Sequence, residues 1–179
     1  MTANAFGIHQ CTVSKIILEA CTAISNHLSP KYIHLPQTED EIKAKVAEFE
    51  ARFGMVQAFG SIDGTQIPVL RPIVDSEGYF NYKQFFSISV QAVCNVKGYF
   101  MDVECRWAGS VHDAKVFLNS FVSNKLQSGE LPQTFNHLLP GHNPIPNYVI
   151  GDPAYPLTPH CIKEFQSCKT DAEVIFNNM

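Results

Sequence analysis

The chain has 179 residues, 45% of them hydrophobic and 17% charged, with a formal net charge of −4 and a pI near 5.9. This composition excludes disorder and suits one domain with a small appendage, and no apolar run reaches membrane-spanning length. The acidic balance counts against strong unaided DNA binding, although a nuclease remains open because bound metal supplies positive charge.

In chain order, Val13, Ile16, Ile17, Ala20, Ile24 and Leu28 recur at helical spacing. The glycine turn in Phe6 to Ser14 leads into this helix. It reads either as the second half of a helix-turn-helix or as an ordinary amphipathic helix. The motif's first helix would precede Met1, so an intact reader is not expected. A second helix is expected over Thr38 to Phe53. Thr38 and Glu41 form its capping box, Ile42, Val46, Phe49 and Phe53 its buried face, and Gly54 its stop.

Three strands follow. Ala58 to Leu70 contains the first. Phe85 to Cys94 alternates Phe86, Ile88, Val90 and Ala92 with Ser87, Ser89 and Gln91. Tyr99 to Trp107 completes a hairpin across the polar turn Asn95–Gly98. Arg71 to Lys83 reads as a loop. Ser110 is expected to start a helix running to about Leu126, and Gln127 to Asn147 forms a long Pro- and Gly-bearing loop. A short strand over Tyr148 to Gly151 ends at Asp152. Pro159 to Gln166 reads as a helix and Glu173 to Phe176 as a last strand. The organisation is therefore a helical segment over 1–55 (partial helix-turn-helix and linker helix) and an α/β core over 56–179. A meander followed by crossovers implies a mixed sheet, with the strands of Asp63 and Asp152 as parallel neighbours.

The chemistry concentrates on three aspartates: Asp63 in Gly60-Ser61-Ile62-Asp63-Gly64-Thr65, Asp113 in Gly109-Ser110-Val111-His112-Asp113, and Asp152 after Tyr148-Val149-Ile150-Gly151. Carboxylates converging from different elements can hold divalent metal, and a metal pair stabilises both oxygens of a phosphodiester displacement. Bland alternatives stand beside this. Asp63-Gly64 and Asp152-Pro153 suit turns. Ser110 and Asp113 suit a helix N-terminus, where a carboxylate also meets the helix dipole. His112 reads as a structural neighbour. Six cysteines without a Cys-x-x-Cys pair, a start lacking a signal pattern, and scattered histidines imply reduced thiols in an intracellular protein without zinc.

These segments, with Asn81-Tyr82-Lys83, Ser87 to Cys94, Trp107 to Asp113 and Gly151-Asp152-Pro153-Ala154-Tyr155-Pro156-Leu157, resemble the PIF/Harbinger transposases and Harbinger transposase-derived nucleases. That is a DDE superfamily with an RNase H-like fold, and the resemblance spans nearly the whole chain. It implies a DNA endonuclease core using Mg²⁺ or Mn²⁺. Asp63 and Asp152 are then catalytic metal ligands and Asp113 a further metal ligand. It also implies a nuclear protein, with the cytoplasm as a second location, that relies on a Myb-like partner for DNA binding. Lys83, Lys97, Arg106 and Lys115 are candidates for phosphate contact, although scattered cations are ordinarily solvated surface.

Two departures matter. The family's glutamate lies on a helix beyond the 27 residues that follow Asp152, since Glu164 and Glu173 come too early. Asn95 stands where many members carry aspartate. The expectation is an RNase H-like sheet incomplete at its C-terminus, in a partial copy that binds metal but cleaves poorly or not at all. A haloacid-dehalogenase-like phosphatase is disfavoured because position 61 holds Ser61 where a nucleophilic aspartate is needed. The rival class is a non-catalytic nuclease fold retained as a protein-interaction scaffold.

Overall fold

The computed structural model describes residue 5, residues 7–138 and residues 140–178. The chain forms two compact units, Met1–His34 and Leu35–Met179. In the first, Gly7 turns the chain with φ 63°, and helices α1 (Gln10–His27) and α2 (Ser29–Tyr32) follow. The ring nitrogen of His9 accepts from the Cys11 N–H and so caps α1. No residue of α1 is buried, and Ile16, Ile17, Leu18 and Ile24 lie open. The expected apolar stripe forms, yet nothing among the described residues of its own unit buries it. The helix-turn-helix reading begins at Phe6, outside the described residues.

The second unit opens with α3 (Glu39–Phe53). Thr38 accepts from the Glu41 N–H at its start, three acidic residues sit in its first turn, and Gly54 closes it in the left-handed conformation at φ 71°. Its Ile42, Val46 and Phe49 are fully or nearly buried in the core below the sheet. The boundary between compact units therefore falls at His34/Leu35 and not near residue 55, because this helix packs with the sheet.

The main sheet has the order β3-β2-β1-β6-β7, with β1 Ala58–Pro68, β2 Ser87–Cys94, β3 Phe100–Ala108, β6 Tyr148–Gly151 and β7 Cys161–Lys163. β1, β2 and β3 form an antiparallel meander, while β6 and β7 run parallel to β1 and to each other. This is the RNase H-like mixed sheet the sequence implied. The Asn95 side-chain oxygen accepts from the Lys97 and Tyr99 N–H groups and so closes the β2–β3 turn, a role an aspartate would fill equally. A one-turn helix α4 (Ser76–Tyr79) interrupts the β1–β2 loop, and a two-residue pair, β4 (Phe135–Asn136) with β5 (Ile145–Pro146), braces the long loop.

Three local readings are corrected. The helix expected from Ser110 to Leu126 is two helices, α5 (Asp113–Leu118) and α6 (Phe121–Ser128). Ser120 breaks it: its hydroxyl donates to the Phe117 carbonyl and accepts from the Ser123 N–H, restarting the helix. The stretch read as a helix over Pro159–Gln166 carries β7, held by its ladder with β6. The stretch read as a strand over Glu173–Phe176 lies in helix α7 (Asp171–Asn177), begun by a capping box of Thr170 and Glu173.

The alternation of β2 is real, but its polar side faces inward. Ser87, Ser89, Gln91 and Val93 are buried, while Ile88, Val90, Ala92 and Cys94 are half-buried. Asn81 donates to the Ser87 hydroxyl, which donates to the Gln66 side-chain oxygen, each at 2.7 Å, so part of this inner polar face is satisfied.

Candidate active site

In the β1–β6 register Ile62 stands opposite Gly151, so Asp63 and Asp152 are the next residues on adjacent parallel strands. β6 ends there while β1 runs on to Pro68, which leaves both carboxylates at a notch in the sheet. Both are exposed. Each carries one local hydrogen bond: Asp63 Oδ1 accepts from the Gly64 N–H at 2.7 Å, and Asp152 Oδ1 from the Ala154 N–H at 3.0 Å. The second oxygen of each remains available. The turn chemistry read for both aspartates is thus present and leaves room for a ligand.

Asp113 reaches the notch from the start of α5. Its Ser110 cap does not form. His112 is the N-cap instead, its Nδ1 accepting from the Ala114 N–H at 3.3 Å. This cap aims Asp113 back at β1. A Cβ on Gly64 would lie 2.8 Å from Asp113 Oδ1 and 3.7 Å from the Tyr155 hydroxyl, so only glycine lets the carboxylate settle over the strand without displacement. Burial pushes the Asp113 carboxyl above the usual range, and the Asp152 charge raises it further. His112 offsets part of this, and Asp63 adds to it. Asp113 therefore feels the charge of both other aspartates. Among the described residues no Lys or Arg forms an ion pair with any of them.

Among the described residues, no three His, Cys, Asp or Glu side chains converge closely enough to hold a metal in the rotamers they adopt. The donor set nevertheless suits a hard divalent cation: oxygen ligands only, on separate elements, with mutual repulsion and no counter-charge.

Of the cations proposed for phosphate contact, Arg106 is committed elsewhere, to Glu104 and to the Asn119 carbonyl. Lys97 pairs with Glu48. Lys83 lies over the ring of Tyr82, and Lys115 is exposed on α5. Sequence reasoning assigned no role to two residues beside Asp152. Lys163 donates to the Pro153 carbonyl at 2.9 Å, and Tyr155 is buried beneath the notch. The signal for Lys163 was its register opposite Gly151, which appears only once β7 is known.

The family model described as DDE superfamily endonuclease matches residues 62–179. The rat protein named "Putative nuclease HARBI1" is 26% identical over 174 residues, covering 97% of this chain and 46% of that protein. Its human namesake is 29% identical over 126 residues, 70% of this chain and 36% of that protein. An Arabidopsis thaliana "Protein ALP1-like" is 29% identical over 169 residues, 93% and 41% respectively. The chain thus spans less than half the length of these relatives. No solved structure matches it significantly. With the sheet order and the family match in agreement, the chain belongs to the DDE superfamily endonucleases.

Proposed function

We propose that this chain carries part of a divalent-metal-dependent centre for hydrolysis of DNA phosphodiester bonds. The observation that supports it is the register. Asp63 and Asp152 follow Ile62 and Gly151, which stand opposite each other on two parallel strands, with Asp113 alongside and, among the described residues, no Lys or Arg paired to them. Asp63 and Asp152, with Asp113, would hold Mg²⁺ or Mn²⁺. The ion when bound would supply positive charge to the attacking and leaving oxygens. The protein's part is to fix the donors: main-chain N–H groups orient one oxygen of Asp63 and of Asp152, and His112 orients the start of α5.

The third carboxylate is not among the candidates in hand. Glu173 is spent on the Thr170 capping box, where it accepts from the Lys169 and Thr170 N–H groups. Glu164 lines the groove between β7 and α7. We therefore expect these 179 residues to bind cation and to cut slowly or not at all. DNA as substrate, a Myb-like partner that brings the chain to it, and nuclear residence with a cytoplasmic pool complete the reading. The net charge of −4 supports the need for such a partner.

Calorimetric titration with Mn²⁺, run beside a supercoiled-plasmid nicking assay, tests this. Expected are saturable binding that Asp63→Ala abolishes and little nicking. Nicking that requires Mn²⁺ and disappears in Asp63→Ala would overturn the expectation of low activity. A second reading, a nuclease fold used as an interaction scaffold, is favoured by the lack of a converged ligand trio among the described residues. Absence of Mn²⁺ binding, with a melting temperature indifferent to the ion, selects that reading.

A further inference from the structure

Tyr155 is among the largest fully buried side chains, 1% exposed, yet its hydroxyl finds no hydrogen-bond partner among the described residues. Burying a hydroxyl unsatisfied costs on the order of 1–3 kcal/mol, so such a group needs a reason. The rest of the residue is firmly placed. Its N–H donates to the Asp152 carbonyl at 3.1 Å, its ring stands edge-on to Phe117 at 5.9 Å, and it lies against Gly151. This packing aims the hydroxyl at the underside of the notch. Tyr155 Oη and Asp113 Oδ1 both border the one spot that a Cβ on Gly64 would take. Gln91, opposite Gly64 on β2 and 2% exposed, has no partner for either side-chain amide atom among the described residues, on the same inner face.

We propose that Tyr155 is a positioning residue of the acidic site: its hydroxyl donates to the Asp113 carboxylate and holds it over Gly64. A small rotation of the Asp113 side chain closes the bond, because both oxygens already face one point above Gly64. Burial and the three nearby carboxylates keep the phenol protonated well beyond the usual tyrosine range, so its O–H stays available to donate. The donated bond lowers the cost of gathering a third carboxylate beside two others. It selects one Asp113 rotamer before a cation arrives, which is how outer-shell groups strengthen metal sites. The tyrosine itself does not ligate.

This inference rests on the metal reading for its consequence, though not for its geometry, and two measurements separate them. The first needs no metal. An ultraviolet Raman difference spectrum, wild type minus Tyr155→Phe, isolates the Fermi doublet of this tyrosine, whose intensity ratio reports a donating hydroxyl. A strong-donor ratio that Asp113→Ala removes is expected; a ratio that Asp113→Ala leaves unchanged overturns the proposal. The second is Mn²⁺ calorimetry. Tyr155→Phe keeps the ring and its packing on Phe117 and is expected to bind Mn²⁺ about tenfold more weakly. Its metal-free melting temperature should stay within about 2 °C of wild type, an effect below about 1 kcal/mol. Unchanged affinity, or a lowered melting temperature with unchanged affinity, marks a packing role and overturns the proposal. If wild type itself binds no Mn²⁺, the metal reading fails and the Raman comparison alone decides this one.

Discussion

Two acidic regions of the same sheet are treated in opposite ways. On the outer strand β3, Glu104 is 6% exposed, and its carboxylate accepts from Arg106 Nε at 2.6 Å, Trp107 Nε1 at 2.9 Å and the Phe121 N–H at 2.9 Å. At the β1–β6 notch, Asp63 and Asp152 accept only from main-chain neighbours, and Asp113 sits beside them without a paired cation. A carboxylate with three converging donors, one of them charged, ties elements together; here it fixes the start of α6 to β3. Three carboxylates with open lone pairs and mutual repulsion contribute nothing comparable to folding. Charge that the fold does not neutralise is charge left for a ligand.

The largest effect should come from removing the satisfied acid. Glu104→Ala strands the Trp107 indole N–H and the first N–H of α6, and frees the Arg106 guanidinium. Loss of these bonds is worth about 3 kcal/mol, since the guanidinium is half exposed and partly resolvated. A melting temperature lower by about 6–12 °C is expected, with Mn²⁺ affinity unchanged. A parallel loss of Mn²⁺ binding would break the comparison, because it would make the two regions one.

Next is the stabilisation that the open site gains from its ion. At Mn²⁺ about 100-fold above its dissociation constant, wild type should gain about 2.7 kcal/mol, a rise of roughly 5–10 °C in thermal melts. Asp63→Ala and Asp152→Ala should melt near wild type without metal and lose that rise. Should either variant melt far below wild type without metal, that aspartate would belong with Glu104 as a structural group.

How much of this was legible beforehand follows the same division. Asp63 and Asp152 were visible because each interrupts or ends an apolar run, and the β1–β6 neighbourhood followed from topology rules and the family resemblance. The fold was harder to read where pairing, not composition, decides. β7 is three residues, Cys161–Lys163, between prolines and a loop; its ladder with Val149, Ile150 and Gly151 makes it a strand. The α7 segment contains Val174, Ile175 and Phe176, which suit a strand, yet the Thr170–Glu173 capping box upstream begins a helix. In β2 the alternation identified the strand but not its buried side. Ser87 faces inward with partners that Gln66 and Asn81 supply from other segments, and Ser89 and Gln91 share its side because side chains alternate along a strand. Glu104 was missed for the same reason: Trp107 is near it in sequence, but the Phe121 N–H reaches it only after α5 has turned the chain back.

A subtler lever is Gly64, whose added Cβ would have as its three nearest neighbours two atoms at the end of the Asp113 side chain and the Tyr155 hydroxyl. Gly64→Ala should therefore leave stability within about 1 kcal/mol of wild type, since Asp113 can rotate away and alanine costs the strand less entropy than glycine. Its Mn²⁺ affinity should drop about tenfold, the range typical of a displaced or unsupported ligand. Unaltered affinity would show that Asp113 contributes no ligand.

The smallest expected effect is the pH dependence of Asp113 itself, and its sign separates the two regions most directly. Burial and the neighbouring aspartates raise its folded-state pKa above the unfolded value, about 3.9 for a free aspartate. Below the unfolded value the side chain is neutral in both states and costs nothing. As pH rises through the raised folded value the native state must ionise it against repulsion, so stability is lost there and not gained. Wild type and Asp113→Asn should therefore melt alike near pH 3.5. Above the raised folded value the metal-free wild type should fall behind by about a degree, a small margin because the group is half-exposed and the start of α5 favours an anion. Saturating Mn²⁺ should reverse the order at neutral pH, because the charge that was uncompensated then has a partner. An Asp113→Asn melt that stays ahead of wild type in Mn²⁺ would place Asp113 outside the centre and leave Asp63 and Asp152 to hold the ion alone.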